Sequence, residues 1–381
     1  MLRIVCCIFL LGALAAIPAG ALRDNGLART PPMGWSSRGF GQSVDDPLVR
    51  AIADAVNANG MRQAGYSYIN IDDAWQDSQR NGQGDIRPNG RFPDMRALAG
   101  YIHSRGLFIG IYSSPSAKTC LGYEGSYGHE EQDARVFAAW SIDFLEYSWC
   151  AGDKTHDSET SLRAAYLKMG EELHRAGRPI VYSLGESGKY EVWKWAAQTG
   201  ANLWRTSGDV ETQAEFARPG HWNYPGPLTP SAPPPGKQAH RAAPDDPALR
   251  MQMSMWAMLA APLFVEGDPR SWSTNVLAIL TNHEVIGVDQ DPAGTPGFRR
   301  SASNGLEVWI RHLADGGKAV GWFNHRDTRA RFTMTWSDFG ADSKSVVRDL
   351  WQHRVMDTSK PEFLVDVDKH DVMMVRVYTS Q

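Results

Sequence analysis

A (β/α)8 barrel followed by a small antiparallel β-sandwich is the fold this sequence predicts. Three observations point to it. Eight short strand-like runs alternate with helix-like stretches over about 250 residues, the size of such a barrel. Polar and acidic residues gather at the ends of those runs, where a barrel places its active site. From about residue 297 the pattern changes to short alternating runs separated by Gly, Asp and Ser, which read as strands of a sandwich.

In chain order the strand candidates are PPMGWSS, YINIDDAW, FIGIYSS, DFLEYSWC, VYSLGES, LWRTSGDV, GHWNYPG and APLFVEGD. Between the first two, DDPLVRAIADAVNANG reads as a helix with Asp46 as N-cap and Pro47 as its first residue. Its apolar face carries Leu48, Ile52, Ala55 and Val56. MRALAGYIHSRG precedes the third strand. SLRAAYLKMGEELHRAG precedes the fifth, with Leu162, Tyr166, Met169 and Leu173 on one face and Gly177 able to take the left-handed position past its end. A doubly wound sheet is the competing arrangement, but no Gly-rich phosphate loop follows the first strand. The proline-rich stretch from Tyr224 to Arg250 reads as an exposed loop. The runs GLEVWIRHL, KAVGWFNH, RFTMTW, SVVRDLW and DVMMVRVY supply the sandwich. The expected division is a signal peptide over 1–21, a barrel over 22–296 and a sandwich over 297–381.

The signal rests on Arg3, the apolar run from Ile4 to Ile17, and the small-residue AGA ending at Ala21. Such a chain is secreted or periplasmic. No later run approaches the roughly twenty apolar residues of a membrane span, so no membrane association is expected once the signal is removed. Cys6 and Cys7 leave with the signal. For the remaining Cys120 and Cys150 one disulfide is the default in an oxidising compartment, a reduced pair being the alternative. A net charge of −4, a pI near 6.3 and no run of five like charges give no surface for nucleic acid. The 11 His form no HExxH or HxH spacing and no Cys/His cluster, so neither a metal nor a cofactor is expected.

Read without any relative, the best chemical candidates are the Asp72–Asp73 pair and Asp209, with Arg205 four residues before it. Adjacent residues on a strand point to opposite faces, so at most one of Asp72 and Asp73 enters the barrel unless the strand twists there. Ser113, Ser114, Ser148 and Glu186 lie at other strand ends. Ser148 is a poor nucleophile candidate, because no GxSxG elbow surrounds it and no base adjoins it in the segment.

The motifs TPPMGWSS, NIDDAWQ, KTCLGYEGSYGHEEQDARVFAAW, EVWKWAAQTGANLWRTSGDV, MSMWAMLAAPLFVEGDPR and AILTNHEVIGVDQDPAG follow one another in order. In them the chain resembles the secreted α-galactosidases of glycoside hydrolase family 27, over nearly the whole mature length. That resemblance implies the same barrel and sandwich, and an α-galactoside as substrate. It implies that Trp35 floors the sugar subsite, that Asp72 and Asp73 bind the O4 and O6 hydroxyls, and that Tyr112 sits beside the ring. By the same likeness Arg205 contacts O2, Asp209 is the general acid/base, and Cys120 pairs with Cys150. Glu186, Lys189 and Tyr190 fall on the loop that reads the 2-position substituent; Lys189 is not small, which favours galactose over N-acetylgalactosamine.

One strand departs from the pattern. The family ends its fourth strand on a motif like LKYDWC, whose Lys binds sugar and whose Asp is the nucleophile; Glu146 and Ser148 stand there in this chain. Tyr224 and Gly226 replace two further acids of a WNDPDML motif, and Gly185 replaces a frequent Cys. The expectation is an α-galactosidase-like hydrolase of terminal α-linked galactose with an impaired or altered mechanism. Glu146 would be a substitute carboxylate, spaced with Asp209 for inversion. The alternatives are a sugar-binding barrel without turnover and a hydrolase of another α-glycoside, such as an α-N-acetylgalactosaminide.

Overall fold

The computed structural model describes residues 25–150, 155–206, 222–224, 247–342, 344–359 and 362–378. The expected signal peptide, most of the proline-rich stretch, Asp209 and Gly226 lie outside the described residues.

The first region runs β1 (Met33–Ser36), α1 (Asp46–Ala58), α2 (Met61–Ala64), β2 (Tyr68–Ile71), α3 (Met95–Ser104), β3 (Phe108–Ser113), α4 (Glu130–Ala139), β4 (Phe144–Ser148) and α5 (Glu159–Arg175). It continues through β5 (Val181–Gly185), β6 (Leu203–Arg205), β7 (Trp222–Tyr224), α6 (Pro247–Leu259), β8 (Leu263–Val265), α7 (Thr274–Leu280) and α8 (His283–Asp289). All eight strand candidates contain one of these strands. They form one parallel sheet in the order β7-β6-β5-β4-β3-β2-β1-β8, in which the last strand returns to pair with the first. That is a (β/α)8 barrel.

Buried strands flanked by helices explain the apolar runs, since both faces of such a sheet leave water. Tyr68, Phe144 and Phe264 come from β2, β4 and β8, yet their ring centroids lie 5.4–6.3 Å apart, so they meet across the barrel interior. Residues two further along each strand share that inward direction. The intervening residues face the helices: the Tyr147 ring lies 5.8 Å from Tyr166 of α5.

Helix ends follow capping chemistry. In α1 the N-cap is Asp45, whose carboxylate accepts from Leu48 N at 2.8 Å, and not Asp46 as expected. Asp46 instead ion-pairs with Arg50 one turn on. The register moves with the cap, so Val49, Ile52, Ala53 and Val56 are the buried face, and Leu48 is only partly covered. Leu162, Tyr166, Met169 and Leu173 of α5 are buried as expected, and Gly177 takes φ 74° just past the helix.

The second region holds β9 (Phe298–Ser303), β10 (Leu306–His312), β11 (Lys318–Asn324), β12 (Ala330–Thr335), β13 (Val346–Asp349), β14 (Arg354–Val355), β15 (Glu362–Val367) and β16 (Asp371–Tyr378). The sheet β14-β13-β16-β11-β10-β9 faces the pair β12-β15, all antiparallel. Between them lie Trp322, Trp336, Phe339 and Phe363, with Trp336 stacked on Phe363 at 3.7 Å. Three of these strands, β9, β14 and β15, were not anticipated from the sequence.

The two regions meet along α6. Arg311 of β10 has no exposed surface and donates to the carbonyls of Ala257 at 2.5 Å and Thr295 at 2.9 Å. Arg250 of α6 forms a two-point pair with Asp371 of β16.

Candidate active site

Inside the barrel, the layer above the aromatic rings is polar. Glu146 follows Phe144 at the inward positions of β4 and Ser148 follows Glu146; their in-register neighbours on β5 are Ser183 and Gly185. Asp72 and Asp73 follow β2 directly, Arg205 closes β6 and Glu266 follows β8 directly. Charges on Asp72, Arg38, Arg205 and Glu266 all act on the Glu146 carboxyl, which places these five side chains around one mouth.

Burial dominates the electrostatics here, because an ionised carboxylate loses its hydration in a protein-walled pocket. Glu146 is pushed up to about 7, first by burial and then by the Asp72 charge, with Arg38 and Arg205 opposing. Asp72 and Glu266 are raised for the same first reason and relieved by the same two arginines. Asp72 also accepts the Asp73 N–H at 2.7 Å, and its own N–H donates to Ser37 Oγ at 2.9 Å, which fixes the turn that exposes its carboxylate to the mouth.

Asp73 turns the other way, as alternation along a strand requires. Its oxygens accept from Ala74 N at 2.7 Å and Leu121 N at 2.8 Å, so it anchors the loop bearing Cys120. Cys120 and Cys150 are bridged, and the Tyr112 hydroxyl lies 3.1 Å from Cys120 Sγ. Tyr112 is in register with Glu146, and burial together with the neighbouring acids keeps its phenol protonated.

Ser148 faces a neighbour without a side chain. A Cβ placed on Gly185 would stand 1.7 Å from Ser148 Oγ, so the hydroxyl fills the space that glycine leaves. No base adjoins it in register, and without one a serine hydroxyl is a weak nucleophile.

Two expected placements are corrected. Trp35 has no exposed surface; it is paired in register with Ile69 and Val265 on the helix-facing side, and its Nε1 donates to Gly267 O at 2.7 Å. So enclosed, the indole presents no open face to the mouth. Glu186 is 2% exposed, and burial holds its carboxyl well above the usual range despite Arg205, so it sits behind the open mouth. Lys189 and Tyr190 do reach the rim: the Lys189 ammonium sits 3.9 Å above the Trp149 ring, next to Ser148, and 5.4 Å from the Tyr190 ring.

Arg38 and Glu266 are the mouth residues that sequence reasoning missed. They lie 3.9 Å apart, with Arg38 half exposed and Glu266 largely buried. Glu266 obeys the rule that flagged the other acids, being the first charged residue after an apolar strand. Arg38 lies in the short 3-10 helix Ser37–Ser43 that follows β1, where strand alternation no longer sets the facing.

A family model described as alpha galactosidase A matches residues 37–216 and 195–291, and one described as the alpha galactosidase C-terminal beta sandwich domain matches 303–377. The α-galactosidase of Cyamopsis tetragonoloba is 37% identical, over 93% of this chain and 87% of its own. That of Oryza sativa subsp. japonica is also 37% identical, over 92% and 85%. The crystal structure of α-galactosidase I from Mortierella vinacea aligns with a TM-score of 0.85 at 29% identity, covering 94% of this chain and 99% of that one.

Proposed function

The chain belongs to the α-galactosidase A family of glycoside hydrolases, and on that premise we propose that its barrel mouth takes a terminal α-linked galactosyl group while Ser148 closes the covalent route to hydrolysis. The observation that carries this reading is the inward placement of Ser148 opposite Gly185, at the position that by resemblance would hold a carboxylate nucleophile. Retention by double displacement needs two carboxyl groups about 5–5.5 Å apart across the anomeric carbon, one attacking and one moving the proton. A neutral hydroxyl beside a glycine supplies neither charge nor base. Asp72 and Arg205 still present hydrogen-bonding groups to a sugar at the mouth. Asp209, assigned as acid/base by resemblance, keeps that role in this proposal.

One observation favours a second reading, slow inversion. Glu146 points inward one pleat below Ser148, about 6.5–7 Å along the strand, and its carboxyl titrates at about 7. A group titrating there is poised for proton transfer near neutrality. With Asp209 protonating the leaving oxygen, Glu146 would activate a water, a geometry that tolerates about 6.5–9.5 Å between carboxyls.

The test is hydrolysis of p-nitrophenyl α-galactoside by the wild type, Ser148→Asp and Glu146→Lys/Ser148→Asp. The wild type is expected to be slower than the better variant by on the order of 1,000-fold, about 4 kcal/mol of barrel-mouth chemistry. Equal rates would overturn the proposal. If residual wild-type turnover releases β-galactose first, as followed by proton NMR, Glu146 carries it; release of the α-anomer excludes that route. Export to an oxidising compartment fits the Cys120–Cys150 bridge. Among the described residues no helix is long and apolar enough to cross a membrane.

A further inference from the structure

A cleft of about 700 Å³ opens where the barrel helices α6 and α7 meet the sandwich. None of its lining residues belongs to the barrel mouth. Its size lies within the roughly 300–1,000 Å³ of small-molecule sites, and the join between two folded regions is a preferred place for them.

The floor is held rigidly. Asn282 Nδ2 donates to Leu350 O at 2.9 Å, and Trp351 Nε1 donates to Ser254 Oγ of α6 at 2.9 Å, so the turn carrying Trp351 is fastened to the barrel. Asp349 Oδ1 accepts from the N–H groups of Trp351 and Gln352 at 3.0 and 2.9 Å, which fixes the turn internally. The indole is therefore a half-buried, immobilised apolar plate at the cleft wall.

The polar groups around it are planar and carry nearly equal numbers of charges of both signs. Three arginines and four aspartates line the cleft. Arg250 pairs with Asp371, and Arg329 reaches Asp366 and Asp368 at 3.7 and 3.6 Å. With three arginines against four aspartates, the cleft has no strong field to hold a free anion. Paired guanidinium and carboxylate groups instead offer donors and acceptors side by side, the pattern that neighbouring hydroxyls on a sugar ring can satisfy. A fixed indole supplies the flat apolar surface that the carbon face of a pyranose covers.

We propose that this cleft is a second carbohydrate-binding site, taking a neutral galactosyl oligosaccharide at a distance from the barrel mouth. The choice of galactose as the sugar rests on the proposed function; the existence of the site does not. Its place would be to retain a chain whose terminal residue is presented to the barrel.

The test uses the full chain labelled with 5-fluorotryptophan, with the Trp351 fluorine resonance assigned by Trp351→Phe. Titration with melibiose is expected to shift that resonance saturably with a Kd of about 1 mM, roughly 4 kcal/mol of binding. The same shift should persist in Asp72→Asn, which impairs the barrel mouth. Arg329→Ala, at a largely exposed residue, should weaken it at least about tenfold, or about 1.4 kcal/mol, with unchanged near-ultraviolet circular dichroism. A Trp351 resonance unmoved by melibiose overturns the proposal, as does a shift produced by inorganic phosphate in its place. If Trp351 responds while the barrel neither binds nor cleaves an α-galactoside, the barrel reading fails and the cleft stands.

Discussion

Two layers of the barrel interior sit two to four residues apart along the same strands and are built from opposite chemistry. The lower holds Tyr68, Phe144, Phe264, Val181 and Leu203, an apolar plug whose rings interlock. The upper holds Asp72, Glu146, Ser148, Arg205 and Glu266, acids raised by burial and only partly offset by two arginines. One pleat of β4 thus separates the packing that contributes stability from the charges that cost it. The desolvated carboxylates above are offset in part by Arg38 and Arg205, not by the plug.

That contrast can be broken from below first. Phe144→Ala should lose about 3–5 kcal/mol of unfolding free energy, read by denaturant titration, while the folded fraction keeps its galactoside affinity. A loss below about 1 kcal/mol would mean the plug is not where the barrel's stability lies. Replacing both Cys120 and Cys150 by Ser should cost about 3–4 kcal/mol by loop entropy, since the bridge spans 30 residues. It should also weaken galactoside binding, because the Cys120 loop is tied to Asp73 and touches Tyr112.

A smaller effect belongs to the upper layer alone. Gly185→Ala places a methyl on the Ser148 hydroxyl and should cost about 1–3 kcal/mol of overpacking; Ser148→Gly should return most of it. If the double variant is no more stable than Gly185→Ala, the contact between the two is not the cause. The smallest effect is a slope. Native Glu146 holds its proton to about pH 7, whereas its ordinary value is 4.5. The native state therefore binds more protons in that window, and stability falls as pH rises through it. Glu146→Gln should flatten this part of the stability–pH curve, and an unchanged slope would place the titration elsewhere.

The same layers explain what could be read from the sequence. Strands buried on both faces leave uninterrupted apolar runs, and each such run ended in a polar residue, so eight strands and one mouth were legible. The facing of single residues was not, because it depends on register. Trp35 has the composition of a sugar platform but falls on the helix side, and Glu186 lies one step past the inward Gly185. Glu266 was missed although it ends its strand run as the flagged acids do, and Arg38 because it falls in the helical turn after β1. In the sandwich, β9 is exposed at every position and offers no alternation, while exposed Leu364 masks the period of β15. The N-cap of α1 was off by one because two aspartates precede Pro47 and either could cap by composition.

Arg311 gives the molecule a property that neither region has alone. Its guanidinium leaves the sandwich and is taken up by backbone carbonyls of the barrel side, at Ala257, Asp289 and Thr295, with no water-accessible surface of its own. Separating the regions would break these charge-assisted hydrogen bonds together, so the interface resists partial opening. The barrel and the sandwich are therefore expected to melt in a single calorimetric transition, and a chain cut before Phe298 to behave not as a smaller version of this protein but as an unfinished one.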